Sequence, residues 1–361
     1  MNINKRIFFY PIIASHYSAF RELFYQLNQD QYDIYIIRES TLEDISSKEE
    51  KSWKDVQINI LTKSELFSLK LSPSDVVVVG NDSEPRVVEI LDYFHMSSAK
   101  SVMMQDGWLM SQNILRPIYR TPNFKMKVRR WVHFVLVRYT SFGKKRFHNF
   151  LGQNAKYFFV YSTYSRDQLV KAGVCESKVV VTGSPKHKGL RNIEMPMEPK
   201  VWVLFTTISY EDSDSKAMRD TILYLSQLSG CRQLMVKLHP DEDFAKYRDL
   251  NNEKVSIIKS DFNSLFTQYK VEFAFCFAST IVLDMLSMKI PVLQLAPDGM
   301  MDRYANYFLD LPLAIHFHEV QSEMEKYAMP ELTRIGEKYL LDLSNQCDSV
   351  KNVVNEIMKL K

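Results

Sequence analysis

The chain contains four consecutive valines, Val76–Val79, set between Asp75 and Gly80. An unbroken β-branched run is typical of a strand buried on both faces, whereas a strand with one solvent-exposed face alternates apolar and polar residues. Strands buried on both faces belong to parallel sheets that carry helices on either side. The run therefore predicts an α/β fold, in which strands and helices alternate along the chain.

Further apolar runs alternate with amphipathic segments in two successive series. The first series predicts strands at residues 6–13, 32–38, 56–61, 75–80, 100–104, 156–160 and 178–182. The second predicts strands at residues 201–205, 233–238, 255–258 and 272–277, with a final strand at 291–295. The helices predicted between them include one that Ser18 caps and one over residues 241–250. This alternation in both halves predicts two doubly wound, Rossmann-like domains that face a cleft.

The boundary between the predicted domains lies near residue 190. A chain of 361 residues is long enough for two domains. Residues 186–199 combine prolines and charges without apolar periodicity, as a linker does. We therefore assign residues 1–190 to a first domain, with a basic helical insertion at 108–155. Residues 191–361, which end in amphipathic helices, form the predicted second domain.

Positive charge is concentrated in one stretch of the chain. The net charge is only +3, yet no Asp or Glu occurs between Asp106 and Asp167, and aromatic residues interleave with the bases there. Such a segment can lie on an anionic membrane surface or bind an acidic polymer. A helix pair with buried aromatics and solvated bases is the alternative. The bases expected at this surface are Arg116, Arg120, Lys125, Lys127, Arg129, Arg130, Lys144, Lys145 and Arg146.

Several classes of protein are disfavoured by what the sequence lacks. No nucleic-acid motif accompanies the basic stretch, so nucleic acid is not an expected partner. No run reaches the length needed to cross a bilayer. The four cysteines lack zinc-ligand spacing and suit a reducing compartment, which predicts a cytoplasmic location. Neither half contains GxGxxG or a Walker loop, so simple dinucleotide or P-loop chemistry is unsupported.

Polar side chains follow the predicted strands of the second half. Because the carboxyl ends of parallel strands meet at one edge, where ligands bind in open α/β sheets, we expect these side chains to lie together. Hydroxyl and imidazole groups from several loops suit a diphosphate or phosphodiester. Helix capping is the alternative for each hydroxyl taken alone. The candidates are Thr206, Thr207, Ser209, Lys237, His239, Pro240, Ser279 and Thr280.

A carboxylate ends one strand of the first half. Asp106 stands between Gln105 and Gly107, and Gly107 permits a tight turn that presents the carboxylate. Such a group can act as a general base toward a hydroxyl, and capping of the next helix is the alternative. Asp82 is a weaker candidate of the same kind. His16, just past the first strand, is expected at the cleft between the domains.

Two short acidic motifs match D-x-D, which binds a divalent metal in other transferases. They are Asp212-Ser213-Asp214 and Asp241-Glu242-Asp243. Each stands at a predicted helix start, where Asp is favoured by capping and by the helix dipole. We therefore predict that both motifs cap helices and that the chain holds no metal.

Four motifs in order resemble the GT-B glycosyltransferase superfamily, especially its bacterial members with a Lys/Arg-x-His-Pro motif. Those members include polysialyltransferases, β-Kdo transferases and, more distantly, the CDP-glycerol glycerophosphotransferases of teichoic acid synthesis. The resemblance covers about residues 100 to 295. It rests on Gln105-Asp106-Gly107, Val181-Thr182-Gly183-Ser184-Pro185, Lys237-Leu238-His239-Pro240, and Ser279-Thr280-Ile281-Val282-Leu283-Asp284 running into Lys289-Ile290-Pro291-Val292.

The resemblance implies roles for individual residues. Sialyl and Kdo transferases take their base from an acidic-acidic-Gly motif; here Gln105 replaces its first acid, so the role falls on Asp106. His239 is implied as a contact of the donor phosphate, as are Ser279 and Thr280, and Asp284 matches an acid near the nucleotide ribose. The glycerol-phosphate transferases carry a His before the Gly of the first motif, and this chain does not.

The expected activity is that of an inverting, metal-independent glycosyltransferase without a cofactor. Its expected donor is a CMP-activated acidic sugar, with a UDP-sugar or CDP-alditol as alternatives. The expected acceptor is a free or lipid-linked bacterial surface glycan on the side of the first domain, and the second domain is expected to bind the donor. His16, Gln105, Gly107 and Asp82 are expected on the acceptor side or in supporting positions. The basic stretch holds the enzyme to the inner leaflet or grips an acidic glycan. Two alternatives are a UDP-sugar 2-epimerase, whose relatives have a Gly-rich pair at Ser279-Thr280, and a catalytically dead binding protein.

Overall fold

The computed structural model of the chain describes two compact units. One contains Met1–Lys188 and Tyr339–Lys361, and the other contains Gly189–Lys338. The residues that the structure describes are 5–29, 32–38, 56–82, 84–106, 128, 132, 154–171, 174–207, 209, 212–230, 232–240, 242–259, 262–277, 279–297, 308, 310–343 and 348–360.

The first unit is built on a parallel sheet. Its described strands are β1 (Arg6–Tyr10), β2 (Asp33–Ile37), β3 (Ile58–Leu61), β4 (Val76–Val79), β5 (Lys100–Met104), β6 (Tyr157–Val160) and β7 (Val179–Val181). Its helices include α1 (Ala14–Gln29), α2 (Lys63–Ser68), α3 (Pro85–Met96) and α4 (Thr163–Lys171). The strand order is β3-β2-β1-β4-β5-β6-β7, so the direction of winding reverses between β1 and β4.

The valine run lies at the centre of this sheet, as predicted. All four valines of β4 are fully buried. Val76 and Val78 pack in one core with Phe20 of α1, whereas Val77 and Val79 pack in the other with Phe94 of α3. Because successive strand side chains point to opposite faces, only a strand covered on both sides needs apolar residues at every position.

The second unit repeats this architecture with six described strands. They are β8 (Lys200–Phe205), β9 (Gln233–Lys237), β10 (Val255–Ile258), β11 (Lys270–Cys276), β12 (Val292–Leu295) and β13 (Leu313–Ala314), parallel and in the order β10-β9-β8-β11-β12-β13. Its helices are α5 (Pro185–Arg191, at the unit boundary), α6 (Asp212–Leu228), α7 (Phe262–Gln268), α8 (Ile281–Ser287), α9 (Val320–Lys326) and α10 (Met329–Gly336). The winding direction reverses between β8 and β11, so the predicted doubly wound α/β fold is confirmed in both units.

The last helix, α11 (Ser349–Lys359), belongs to the first unit, whereas we had assigned it to the second domain. Val350, Val353 and Ile357 pack into the core that contains α1. The Lys5 ammonium donates to the carbonyl of Ile357 at 2.7 Å. The amphipathic pattern of the tail indicates that one face of the helix packs on a hydrophobic core. The pattern does not specify which of the two units contributes that core.

Helix α1 begins at Ala14, four residues before the predicted cap at Ser18. Strand β1 ends at Tyr10, because Pro11 lacks the N–H that a sheet ladder needs. The N–H of His16 then donates to the carbonyl of Ile13 at 3.2 Å, which places His16 in the first turn of the helix.

Three further predictions about secondary structure were wrong. The predicted linker begins with helix α5, and β13 follows the strand that is predicted to be the last. The described residues 242–250 do not form the predicted α-helix. Two short 3₁₀ turns occur there, at Phe244–Lys246 and Arg248–Leu250.

Across the described part of the chain, no helix combines the length and the apolar character that a bilayer crossing requires.

Candidate active site

Two predicted site residues of the first unit lie in contact. Asp106 follows β5 by two residues, and its side chain is 17% exposed. Its Oδ2 lies 3.2 Å from Nε2 of His16, a side chain that is only 1% exposed. The carboxylate is therefore open to solvent on one side and held by a buried imidazole on the other.

The tautomer of His16 follows from its second contact. The main-chain N–H of Ile12 donates to Nδ1 of the ring at 3.2 Å. A nitrogen that accepts an N–H carries its lone pair, so the proton of the neutral ring resides on Nε2. His16 consequently donates a hydrogen bond to Asp106, which fixes the orientation of the carboxylate.

Gly80 provides the space for the His16 ring. It directly follows β4, the neighbour of β1 at the point where the winding reverses. A Cβ at residue 80 would lie 2.4 Å from Nε2 of His16 and 2.5 and 2.6 Å from two ring carbons. Gly80 is not among the predicted site residues, although a glycine beside a buried strand can mark the close approach of another group.

We expect Gly80→Ala to displace the His16 ring and to lower the free energy of unfolding by about 1–3 kcal/mol, as overpacked cores do. Urea denaturation measures the change. Gly230→Ala is the matched control: Gly230 has a φ of +64° but open space around its Cβ position, so its cost is backbone strain alone, about 1 kcal/mol. If Gly80→Ala destabilises the protein no more than Gly230→Ala does, the close packing of the His16 ring against Gly80 is contradicted.

Gln105 and Asp82, predicted on the acceptor side, have main-chain partners in the structure. Gln105 Oε1 accepts the N–H of Tyr161 at 2.8 Å, which joins the ends of β5 and β6. Asp82 Oδ2 accepts the N–H groups of Asn154 and Ala155 at 2.9 and 3.0 Å. Both side chains are buried, and these contacts connect the loops that follow the strands. Gly107 and the nine bases of the expected basic surface lie outside the described residues.

In the second unit, the predicted donor-binding residues follow three adjacent strands. Phe205 of β8 is in register with both Lys237 of β9 and Cys276 of β11, so the three strands end at one level. Thr206 and Thr207 follow β8, Lys237 ends β9 and is followed by His239 and Pro240, and Ser279 and Thr280 follow β11. The structure thus brings these residues to one edge, at the reversal of winding where open α/β sheets bind ligands.

Individual contacts tie this edge together. The main-chain N–H of His239 donates to Thr206 Oγ1 at 2.9 Å. Ser279 Oγ accepts the N–H of Ile281 at 3.2 Å, the capping contact that was the alternative for this hydroxyl. A hydroxyl that accepts in this way still has its own proton to donate to a ligand. Asp284 is buried within α8.

Ser209 has a different partner from the one that we expected. Its N–H and its hydroxyl both donate to the carboxylate of Glu242, each at 2.6 Å. Glu242 is 2% exposed. In the sequence, Glu242 is only the middle residue of an acidic motif that predicts capping, and nothing in its local pattern indicates burial.

Both acidic motifs have a residue at the start of a helical segment, but the segment after Glu242-Asp243 is a 3₁₀ turn and not the predicted α-helix. Asp243 accepts the N–H of Ala245 at 2.9 Å and caps a 3₁₀ turn, and Asp212 and Asp214 occupy the first turn of α6. Within the described ranges, no three His, Cys, Asp or Glu side chains are grouped as a metal site would require.

Comparison with known proteins adds information about the fold. No family model matches the sequence, and no curated protein matches it. Among solved structures, a protein from Listeria monocytogenes described as a UDP-N-acetylglucosamine 2-epimerase is similar at 12% identity, with 98% of this chain and 96% of that chain covered and a TM-score of 0.62. The wall teichoic acid polymerase TagF is similar at 13% identity, with coverages of 98% and 88% and a TM-score of 0.58.

A third similar structure is the UDP-GlcNAc 2-epimerase of Neisseria meningitidis bound to UDP-GlcNAc. It is 13% identical, with coverages of 98% and 99% and a TM-score of 0.57. Identities this low establish the fold alone. The two parallel sheets, their winding orders and these similarities show that the chain has the two-domain α/β fold of the GT-B type.

Proposed function

We propose that this chain is an inverting glycosyltransferase that moves a sugar from a nucleotide donor to a hydroxyl of a bacterial surface glycan. The observation that carries the proposal is the contact between His16 and Asp106. A carboxylate that is partly open to solvent and oriented by a buried, neutral histidine is suited to take a proton from a bound hydroxyl.

In the proposed reaction, Asp106 accepts the proton of the acceptor hydroxyl. The hydroxyl oxygen forms a bond to the anomeric carbon of the donor sugar as the bond from that carbon to the phosphate oxygen breaks. The electron pair of the broken bond remains on the nucleotide phosphate. His16 stays neutral throughout and holds the carboxylate in place while Asp106 takes up the proton.

The second unit binds the donor in this proposal. Hydrogen-bond donors from three adjacent strand ends would stabilise the charge that develops on the departing phosphate. We assign this role to the side chains of Lys237, His239, Ser279 and Thr280, with Thr206 and Thr207 beside them and Asp284 near the ribose. The level strand ends and the bond from His239 to Thr206 support the assignment.

For the donor we propose a CMP-activated acidic sugar, such as sialic acid, Kdo or a relative. The support for this choice is the motif resemblance to polysialyl and β-Kdo transferases. We propose a cytoplasmic enzyme that needs no metal and whose basic stretch contacts either the anionic inner leaflet or an acidic glycan acceptor.

Two further candidates are favoured by particular similarities. The likeness to two UDP-GlcNAc 2-epimerases supports a UDP-sugar epimerase. The likeness to TagF, whose structure is described with CDPG, supports a polyol-phosphate transferase. An epimerase uses no acceptor, whereas both kinds of transferase require one.

Calorimetry with CMP, CDP and UDP is the first test of the proposal. We expect CMP to bind most tightly; preference for UDP or CDP would transfer support to the corresponding alternative, and no binding of any nucleotide would contradict all three. Nucleotide release from CMP-sialic acid and CMP-Kdo is then measured with and without an oligosaccharide acceptor, in buffer with and without EDTA. Release that depends on the acceptor and is unaffected by EDTA is the expected result.

A further inference from the structure

Glu242 is a buried carboxylate that the proposed reaction does not use. It lies three residues after His239, and the two oxygens of its side chain accept both donors of a single residue. Oε2 accepts the N–H of Ser209 and Oε1 accepts the hydroxyl of Ser209, each at 2.6 Å. Short bonds to a charged acceptor are the strong class of hydrogen bond.

Two more donors complete the surroundings of Glu242. The hydroxyl of Tyr247 lies 3.2 Å from Oε1. The Lys246 ammonium lies 3.4 Å from the same oxygen and 2.7 Å from Ser209 Oγ. Burial, and then the charge of Glu242, raises the pKa of the Tyr247 hydroxyl, so the phenol stays protonated and donates. The carboxylate is therefore held from three residues.

These contacts join two loops that lie at the same edge of the sheet. Ser209 belongs to the loop from β8 to α6, which also contains Thr206 and Thr207. The main-chain N–H of Glu242 donates to the carbonyl of His239 at 3.0 Å and closes the turn after β9. With the bond from His239 to Thr206, the loop and the turn are connected at two separate points.

We propose that Glu242 is a positioning residue, which holds the β8–α6 loop and the His239-Pro240 turn in the arrangement that a donor phosphate requires. Its link to phosphate rests on the proposed function; its link to the loops does not. A buried carboxylate beside an anion site opposes anion binding through its charge, so it would act through the loops that it aligns. An exposed capping residue would need neither the burial nor the paired bonds to Ser209.

Glu242→Gln tests the proposal, because glutamine is uncharged and replaces one of the two acceptor oxygens, each of which binds one donor of Ser209, by an NH2 donor. Hydrogen exchange without nucleotide is the first measurement. We expect faster exchange in peptides that span residues 205–212 and 238–243, and unchanged exchange in β10 to β12. Glu272→Gln is the matched control: Glu272 pairs with Arg232 and Lys200 near the amino end of β11, away from this edge. Unchanged exchange in both loops of Glu242→Gln would overturn the proposal.

Affinity for CMP or UDP, whichever the wild-type protein binds, is the second measurement. We expect Glu242→Gln and Ser209→Ala each to weaken binding about tenfold. Because the two residues act through one contact, the double variant should also lose about tenfold rather than a hundredfold. Wild-type nucleotide affinity in Glu242→Gln, or a hundredfold loss of affinity in the double variant, would overturn the positioning role. A wild-type protein that binds no nucleotide would instead contradict the proposed function, and the exchange data would still decide whether Glu242 holds the loops.

Discussion

Replacing Asp106 by asparagine is expected to lower the turnover of sugar transfer by about 10²–10⁴-fold, the range that general-base catalysis contributes. Asparagine has nearly the shape of aspartate, and its carbonyl oxygen can still accept the Nε2 proton of His16, so the local structure should be kept. It cannot accept the proton of the acceptor hydroxyl. Steady-state kinetics with saturating donor and acceptor measure the loss.

The control for this experiment is Asp167→Asn. Asp167 is an exposed aspartate of α4 in the same unit, paired with Arg166. The Asp167→Asn variant should keep wild-type turnover. Both variants should keep the wild-type melting temperature and nucleotide affinity. Turnover within a factor of two of wild type in Asp106→Asn would remove Asp106 from the role of base.

His239→Ala is expected to lower turnover by about 10²–10³-fold, as the loss of one preorganised donor to a developing charge does in other enzymes. The turn itself should survive, because His239 contacts Thr206 through its main-chain N–H, which alanine retains. The loss should therefore appear in kcat, with the stability unchanged in urea denaturation.

His318→Ala is the comparison for this variant. His318 is an exposed histidine of the second unit that follows β13, and three strands separate β13 from β9. Its replacement should leave turnover unchanged. If His239→Ala lowers stability and turnover together, or leaves turnover intact, the imidazole is not the phosphate-side donor.

The strand pattern of both units was predictable because it reflects burial, and burial leaves a direct trace in the sequence. The valines of β4 must be apolar at every position, since each face of the strand meets a different core. The location of α11 was not predictable in the same way. The apolar residues of α11 indicate that one face of the helix is buried, but they do not indicate which of the two units that face packs against.

The candidate site was predictable where it depends on strand ends and not where it depends on loops. Thr206, His239 and Ser279 could be grouped from their positions after strands, since parallel strands share an edge. The contact of His16 with Asp106 could not, because it depends on the start of α1 at Ala14 and on the missing side chain of Gly80. Glu242 was interpreted as a cap, since a tertiary bond to Ser209 has no signature within a few residues.

The place of α11 in the first unit also affects the order in which the protein can fold during synthesis. The core between β1 and α1 is covered in part by residues that the ribosome adds only after Gly189–Lys338, about 150 residues, is complete. At about 5–20 residues per second, that interval lasts roughly 8–30 seconds. Throughout it, the apolar surface that Val350, Val353 and Ile357 later cover lacks these side chains, so the first unit completes its core only after the second unit has been synthesised.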